Sequence, residues 1–185
     1  MDQSSLAPTL LLAMPQMQDP NFARSVVLLW RHEPEGAVGL VVNRRTERRV
    51  ANVVEMDPPP RRDSGLEIWV GGPVEPQRGW VLLGYDPGLP DTITVADGVY
   101  LSASVDVLRT ILETDPTPAQ PRRFLLGYAG WGDGQLESEL AASAWLTVEV
   151  SRELVFDTDP DAMWEAAIRS LGIDPYSLQM GSGVH

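Results

Sequence analysis

Asp133, Gln135, Glu137 and Glu139 crowd one short stretch just after the run Leu125-Leu126-Gly127-Tyr128-Ala129-Gly130-Trp131-Gly132. Gln135 and Glu139 stand four residues apart, a spacing that stacks two side chains on one helix face. Carboxylates placed this way are the raw material of general acid and base catalysis, and a hydrolase-like enzyme would use Asp133 or Glu139 as its base. The same residues are favoured at a helix start on electrostatic grounds alone, so their presence does not select catalysis. Only His32 and the terminal His185 offer imidazoles, and no Gly-x-Ser-x-Gly turn accompanies them. A Ser-His-Asp device therefore lacks its parts. His32-Glu33 near Asp19 lacks the paired spacing of a metal site, so neither a metal, a cofactor nor a catalytic residue is assigned.

Composition narrows the chemistry further. All 14 basic residues are arginine and cysteine is absent, which removes Schiff-base chemistry, the phosphate-loop lysine, thiol nucleophiles, disulfides and iron–sulfur clusters. The formal net charge of −12 repels nucleic-acid backbones. The one basic concentration places six arginines between positions 44 and 62, from Asn43-Arg44-Arg45-Thr46-Glu47-Arg48-Arg49 to Arg61-Arg62, beside Glu47, Glu55, Asp57 and Asp63. A solvated face explains it better than a phosphate-bearing partner, and direct nucleic-acid binding is disfavoured. The apolar run Leu6 to Met14 is short, broken by Pro8, closed by Pro15 and preceded by an acidic start, unlike a signal peptide. No segment is long enough to cross a bilayer, so a cytoplasmic protein without membrane contact is expected.

The elements that must hold these residues follow from periodicity. Thr9 to Met14, Ser25 to Trp30, Ala37 to Val42, Glu67 to Val70, Gly79 to Tyr85, Asp91 to Val95, Val99 to Leu101, Phe124 to Leu126 and Trp145 to Val150 read as strands. Pro34-Glu35-Gly36 and Asp97-Gly98 read as hairpin turns. Arg48 to Met56 reads as a short amphipathic helix ended by Pro58-Pro59-Pro60. Ser104 to Glu113 reads as a helix with Val105, Leu108, Ile111 and Leu112 inward and Ser102 or Ser104 as its cap. A glycine-rich turn over Gly127 to Gly134 leads into a helix capped by Asp133, and Asp159-Pro160 opens another that holds Trp164, Ala167, Ile168 and Leu171 and stops at Gly172. Leu154 to Phe156 reads as extended, and the chain beyond Pro175 as a loose tail. The layout is α+β: one compact domain over residues 1–185, its core about 9–174, with a mainly antiparallel mixed sheet and about three or four helices.

With these motifs in view, the chain resembles the AlgH/YqgE family of bacterial proteins from about Leu10 to Asp174. The resemblance is carried by Leu12-Ala13-Met14-Pro15, Asp19-Pro20-Asn21-Phe22-Ala23-Arg24-Ser25-Val26, Gly39-Leu40-Val41-Val42-Asn43, Gly71-Gly72-Pro73-Val74, Leu126-Gly127-Tyr128-Ala129-Gly130-Trp131, Gly134-Gln135-Leu136 and Ala144-Trp145-Leu146-Thr147. It implies a compact α+β fold in the cytoplasm and a regulatory role, tied in one member's name to alginate synthesis and usually described as transcriptional. The chain departs from the family pattern at Trp80-Val81-Leu82-Leu83, where a His is usual, at Arg45, where Pro is usual, and at Met163, where Arg is usual. Carried over residue by residue, the resemblance places a ligand pocket around Ser25, Asn43, Gly72, Tyr128, Trp131 and Gln135. The glycines would bring backbone amides within reach, Asn43 and Gln135 would offer donors and acceptors, and Tyr128 and Trp131 would supply apolar walls. The expected function is non-enzymatic binding or regulation, with a small polar ligand or a protein segment as partner; the alternatives are a hydrolase-like enzyme and a DNA-associated regulator.

Overall fold

The computed structural model describes residues 5–181. Thr9–Ala13 (β1) is apolar after its first residue and buried throughout, as a strand covered on both faces must be. Val26–Glu33 (β2) and Gly36–Val41 (β3) form a hairpin around Pro34-Glu35. Arg45–Arg49 (β4), Glu67–Val70 (β5) and Val74–Leu83 (β6) follow, then a second hairpin of Thr92–Ala96 (β7) and Val99–Ser102 (β8). Val105–Glu113 (α1) is capped by the Ser104 hydroxyl, which accepts from the Asp106 N–H at 3.2 Å. Arg122–Trp131 (β9), Gln135–Ala141 (α2), Trp145–Val148 (β10), Met163–Ser170 (α3) and Pro175–Gly181 (α4) complete the order.

The strands join in the order β10-β1-β2-β3-β9-β6-β8-β7, with β5 beside β9 and β4 beside β5. The β5–β9 pairing is parallel and the other strand pairings are antiparallel, so the sheet is mixed and mainly antiparallel, in a single compact α+β domain. Strand β9 is the hub. One of its edges carries β6; the other carries β5 at Phe124–Leu126 and β3 at Ala129–Trp131.

Alternation along β1 divides the core. Leu10 and Leu12 join Leu28, Leu40, Leu82, Trp164 and Ile168 on one face, whereas Leu11 and Ala13 join Val27, Leu29, Trp131 and Leu136 on the other. Helix α1 buries Val107, Leu108, Ile111 and Leu112 against Ile68, Val81, Leu83 and Phe124. Each such leucine stabilises the fold by roughly 1.5–3 kcal/mol before entropy is counted.

Several local expectations are corrected. Residues 48–56 form no helix: Arg45–Arg49 finds a strand partner in β5, and only the 3-10 turn Val50–Asn52 follows, with no side-chain cap. The glycine-rich turn is shorter than expected, because β9 runs through Gly127 and Gly130 to Trp131, held by ladders on both edges. Asp133 does not cap α2; Gly134, at φ +71, holds that position and the Gln135 side-chain Oε1 accepts the Gly132 N–H at 3.0 Å. Strand β6 begins at Val74 and absorbs a register shift before Gly79. Glu153–Asp157 is a π-helical turn rather than extended, Val105 is 61% exposed while Val107 turns inward, Leu171 is 41% exposed, and α4 occupies the expected tail.

The glycines at the hub have a packing cause. The Gly71 N–H donates to Leu126 O at 2.8 Å and Gly71 O accepts from Val41 N–H at 2.7 Å, so this segment wedges between β9 and β3. A Cβ on Gly127, where φ is +79, would lie 2.2 Å from Gly72 O; one on Gly72 would lie 2.2 Å from the carbonyl carbon of Tyr128. Only bare backbone fits this crossing.

Candidate functional site

Of the two carboxylates offered as a base, Asp133 and Glu139, the second is a structural bracket. Glu139 Oε1 accepts the indole N–H of Trp131 at 3.0 Å and that of Trp145 at 2.8 Å, while Oε2 accepts from the Gln135 amide at 2.9 Å. The two indole rings meet edge to face at 5.9 Å. One carboxylate thereby ties α2 to β9 and β10, accepting three hydrogen bonds from the protein itself. The neighbouring Glu137 serves a similar end. Its carboxylate meets His32 Nε2 at 2.5 Å, and His32 Nδ1 accepts the Leu6 N–H at 3.0 Å. That acceptor role puts the imidazole proton on Nε2. His185 lies outside the described residues.

The residues expected around one pocket fall into separate pairs. Trp131 and Gln135 belong to the Glu139 bracket. Gly72 packs against the backbone of Tyr128, whose ring meets Trp80 edge-on at 6.2 Å. A hydrogen bond with Glu75, together with burial, pushes the Tyr128 phenol above its usual value. Ser25 and Asn43 meet at the start of β2: Asn43 Oδ1 accepts the Val26 N–H at 3.0 Å and Nδ2 donates to Arg24 O at 3.1 Å. Asn43 and Gln135, expected to face a ligand, thus engage both ends of their amides within the chain. The Ser25 hydroxyl is fully buried and has no hydrogen-bond partner among the described residues.

Another cleft lies elsewhere, and sequence reasoning did not find it. It encloses about 420 Å³ between β5, the start of β9 and the segment 156–160, with Arg45, Glu67, Trp69, Arg122, Arg123 and Asp157 among its walls. A second cleft of about 630 Å³, lined by Asn43, Arg44, Thr46 and Val70, shares Arg45, Asp159 and Pro160 with the first. The signal was Arg122-Arg123 at the head of an apolar strand, because alternation sends adjacent residues to opposite faces and one arginine must then meet the core. Arg122 turns towards α1, is 6% exposed and donates to the hydroxyl and carbonyl oxygens of Thr114. Arg123 turns the other way, its guanidinium carbon 4.5 Å from the Trp69 ring centroid and 5.4 Å from that of Phe156.

Arg123 donates to Phe156 O at 3.2 Å and to Arg122 O at 3.4 Å, while its buried Nε has no partner among the described residues. Burial lowers its pKa, the Arg45 cation lowers it further, and Asp157 offsets part of the effect. The acids in the cleft face other groups: Glu67 pairs with Arg45 at 2.7 Å, Asp157 lies 3.9 Å from Arg152, and Asp159 accepts the Asp161 N–H at 2.9 Å.

The basic stretch beyond the cleft is dispersed. Arg44 donates to the carbonyls of Pro20 and Ala23 at 2.8 and 3.1 Å, and Arg62 pairs with Asp115 at 2.5 Å. Among the described residues no cluster of His, Asp and Glu is arranged to hold a metal, and no helix is long and apolar enough to cross a membrane.

Comparison with known proteins agrees with this architecture. The AlgH-like family profile matches residues 10–176. A UPF0301 protein of Myxococcus xanthus is 43% identical, over 98% of this chain and 99% of its own length. One from Ruegeria pomeroyi is 40% identical, over 96% and 98%. The solution structure of the AlgH protein from Pseudomonas aeruginosa superposes with a TM-score of 0.77 at 37% identity, covering 96% of this chain and 95% of that one. DIP2367 from Corynebacterium diphtheriae, at 22% identity and a TM-score of 0.70 over 97% and 93%, shares the fold. The chain belongs to the AlgH-like family.

Proposed function

We propose that this protein works by binding rather than by catalysis, as a cytoplasmic regulatory protein whose ligand enters the cleft between β5, β9 and residues 156–160. One observation carries the reading: Glu139, one of the two carboxylates the sequence offers as a base, already accepts from two indoles and an amide, while the cleft lined by Arg45 and Arg123 stands apart from it. A volume of about 420 Å³ suits a small metabolite. The family resemblance supports the cytoplasmic setting and the regulatory role. Direct DNA binding receives less support, because Arg44, Arg45 and Arg62 are engaged within the chain.

The test is a thermal-shift screen of metabolites and nucleotides, run beside a broad hydrolase panel. A ligand at 100 times its dissociation constant stabilises the native state by about 2.7 kcal/mol, and that shift should shrink in Arg45→Gln, which alters the cleft wall at an exposed position. Turnover of any panel substrate, abolished by Glu139→Gln with the fold intact, would overturn the reading.

A further inference from the structure

We propose that Arg123 is the recognition residue of the cleft and that the ligand presents a singly charged oxyanion head, a carboxylate or a phosphate monoanion. This rests on the binding reading above and names the chemistry of its site.

The geometry sets one guanidinium of the cleft apart. The centroids of the Trp69 and Phe156 rings lie 4.5 and 5.4 Å from its central carbon, within reach of cation–π attraction. Its bonds go to two neutral backbone carbonyls, and its buried Nε has no acceptor among the described residues. Burying a cation is costly unless it is paired, and buried polar groups are almost always bonded. Glu67, Asp157 and Asp159 line the same cleft, but their contacts are with Arg45, Arg152 and the Asp161 amide, and only Asp157 acts on Arg123 through its charge. Arg122, the neighbouring cation, is occupied by Thr114. Among the described residues neither Arg122 nor Arg123 has an acid within ion-pair distance, and of the two it is Arg123 that leaves a buried N–H, its Nε, without an acceptor, inside a chain whose net charge is −12. A planar guanidinium matches a carboxylate or phosphate edge better than a point charge does.

The surrounding acids set the charge of the ligand. A singly charged head satisfies Arg123, whereas each further negative charge meets Glu67, Asp157 and Asp159 in the same cleft. Acetate is therefore expected to bind more tightly than inorganic phosphate at pH 8, where phosphate is mainly a dianion.

The experiment follows the arginine Nε–H resonances of the ¹⁵N-labelled protein by NMR during titration with sodium acetate, inorganic phosphate and, as the ionic-strength control, sodium chloride, with Arg123→Met assigning the Arg123 signal. Acetate is expected to move that signal along a saturating curve while the exposed arginines follow only the chloride drift. A curve for acetate that coincides with the one for chloride would overturn the proposal. Tighter binding of phosphate than of acetate at pH 8 would overturn the single-charge assignment. If acetate has no effect but a metabolite from the screen still loses its shift in Arg45→Gln, the binding reading stands and the oxyanion fails; turnover that depends on Glu139 would instead topple the binding reading.

Discussion

The guanidinium carbon of Arg123 lies 4.5 Å from the centroid of the Trp69 ring, and the two residues come from neighbouring strands that run parallel. Parallel pairing of β5 with β9 places Trp69 beside Leu125, so a charged residue at the head of β9 is set against the aromatic side of a core strand. The cleft begins at this contact.

Replacing Arg123 by methionine tests how the charge is held. A buried ion exchanged for an apolar side chain of similar length is often neutral or stabilising, because desolvation offsets what its contacts contribute. Arg123→Met is expected to change the unfolding free energy by no more than about 1 kcal/mol in urea denaturation. A loss of several kcal/mol would mean that Arg123 is a structural keystone.

Glu139→Gln leaves the shape of the bracket but removes the negative charge that two indoles share and turns one of the two acceptor oxygens into a donor, against the indole or amide N–H it faces. Hydrogen bonds to a charged group contribute about 1.5–3 kcal/mol, so a loss of about 2 kcal/mol is expected in the denaturation midpoint, with the slope unchanged. Trp131 and Trp145 fluorescence should shift in the same variant. Unaltered stability would remove the bracket role.

Two glycines of β9 separate backbone need from tolerance. Gly127→Ala puts a methyl 2.2 Å from Gly72 O at φ +79, whereas at Gly130 the nearest atom to an added Cβ is 3.6 Å away. The first variant should lose more than about 2 kcal/mol and the second less than about 1 kcal/mol, measured by denaturation. Equal losses would contradict the crossing of Gly72 and Gly127.

The hydrogen bond from His32 holds Glu137 below the usual carboxylate value, against the opposing push of desolvation. A depressed carboxylate adds stability that is present above its ordinary value and lost as the pH falls through the depressed one. NMR titration of the Glu137 carboxyl carbon should show a midpoint below that of a free glutamate, and His32→Phe should raise it. The same variant frees the Leu6 amide and should speed its hydrogen exchange. A midpoint that ignores His32 would dissolve this tie.

Much of the fold was legible because local signals agreed with the tertiary demand. Pro34-Glu35 and Asp97-Gly98 mark the observed hairpins, and Ser104 caps the helix that its hydroxyl announces. The failures share one cause, that pairing partners distant in sequence override local pattern. Arg45–Arg49 looks polar and its downstream valines helical, yet β5 recruits it as a strand. Gly127 and Gly130 look like a turn, yet β3 and β6 hold them in β9. At the site, Asn43 and Gln135 were visible as polar residues among glycines, but a sequence does not show whether an amide faces outward or bonds its own loop. Arg123 was hidden for the opposite reason: beside Arg122 it reads as surface charge until Trp69 and Phe156 close over it.

The most direct test of binding in the Arg123 cleft is the affinity of the metabolite that gives the largest thermal shift, measured by isothermal titration against wild type, Arg123→Met and the exposed control Arg48→Met. Loss of the Arg123 guanidinium should weaken binding at least tenfold, about 1.4 kcal/mol, in Arg123→Met and leave Arg48→Met at the wild-type value. Equal affinity in wild type and Arg123→Met would contradict the account.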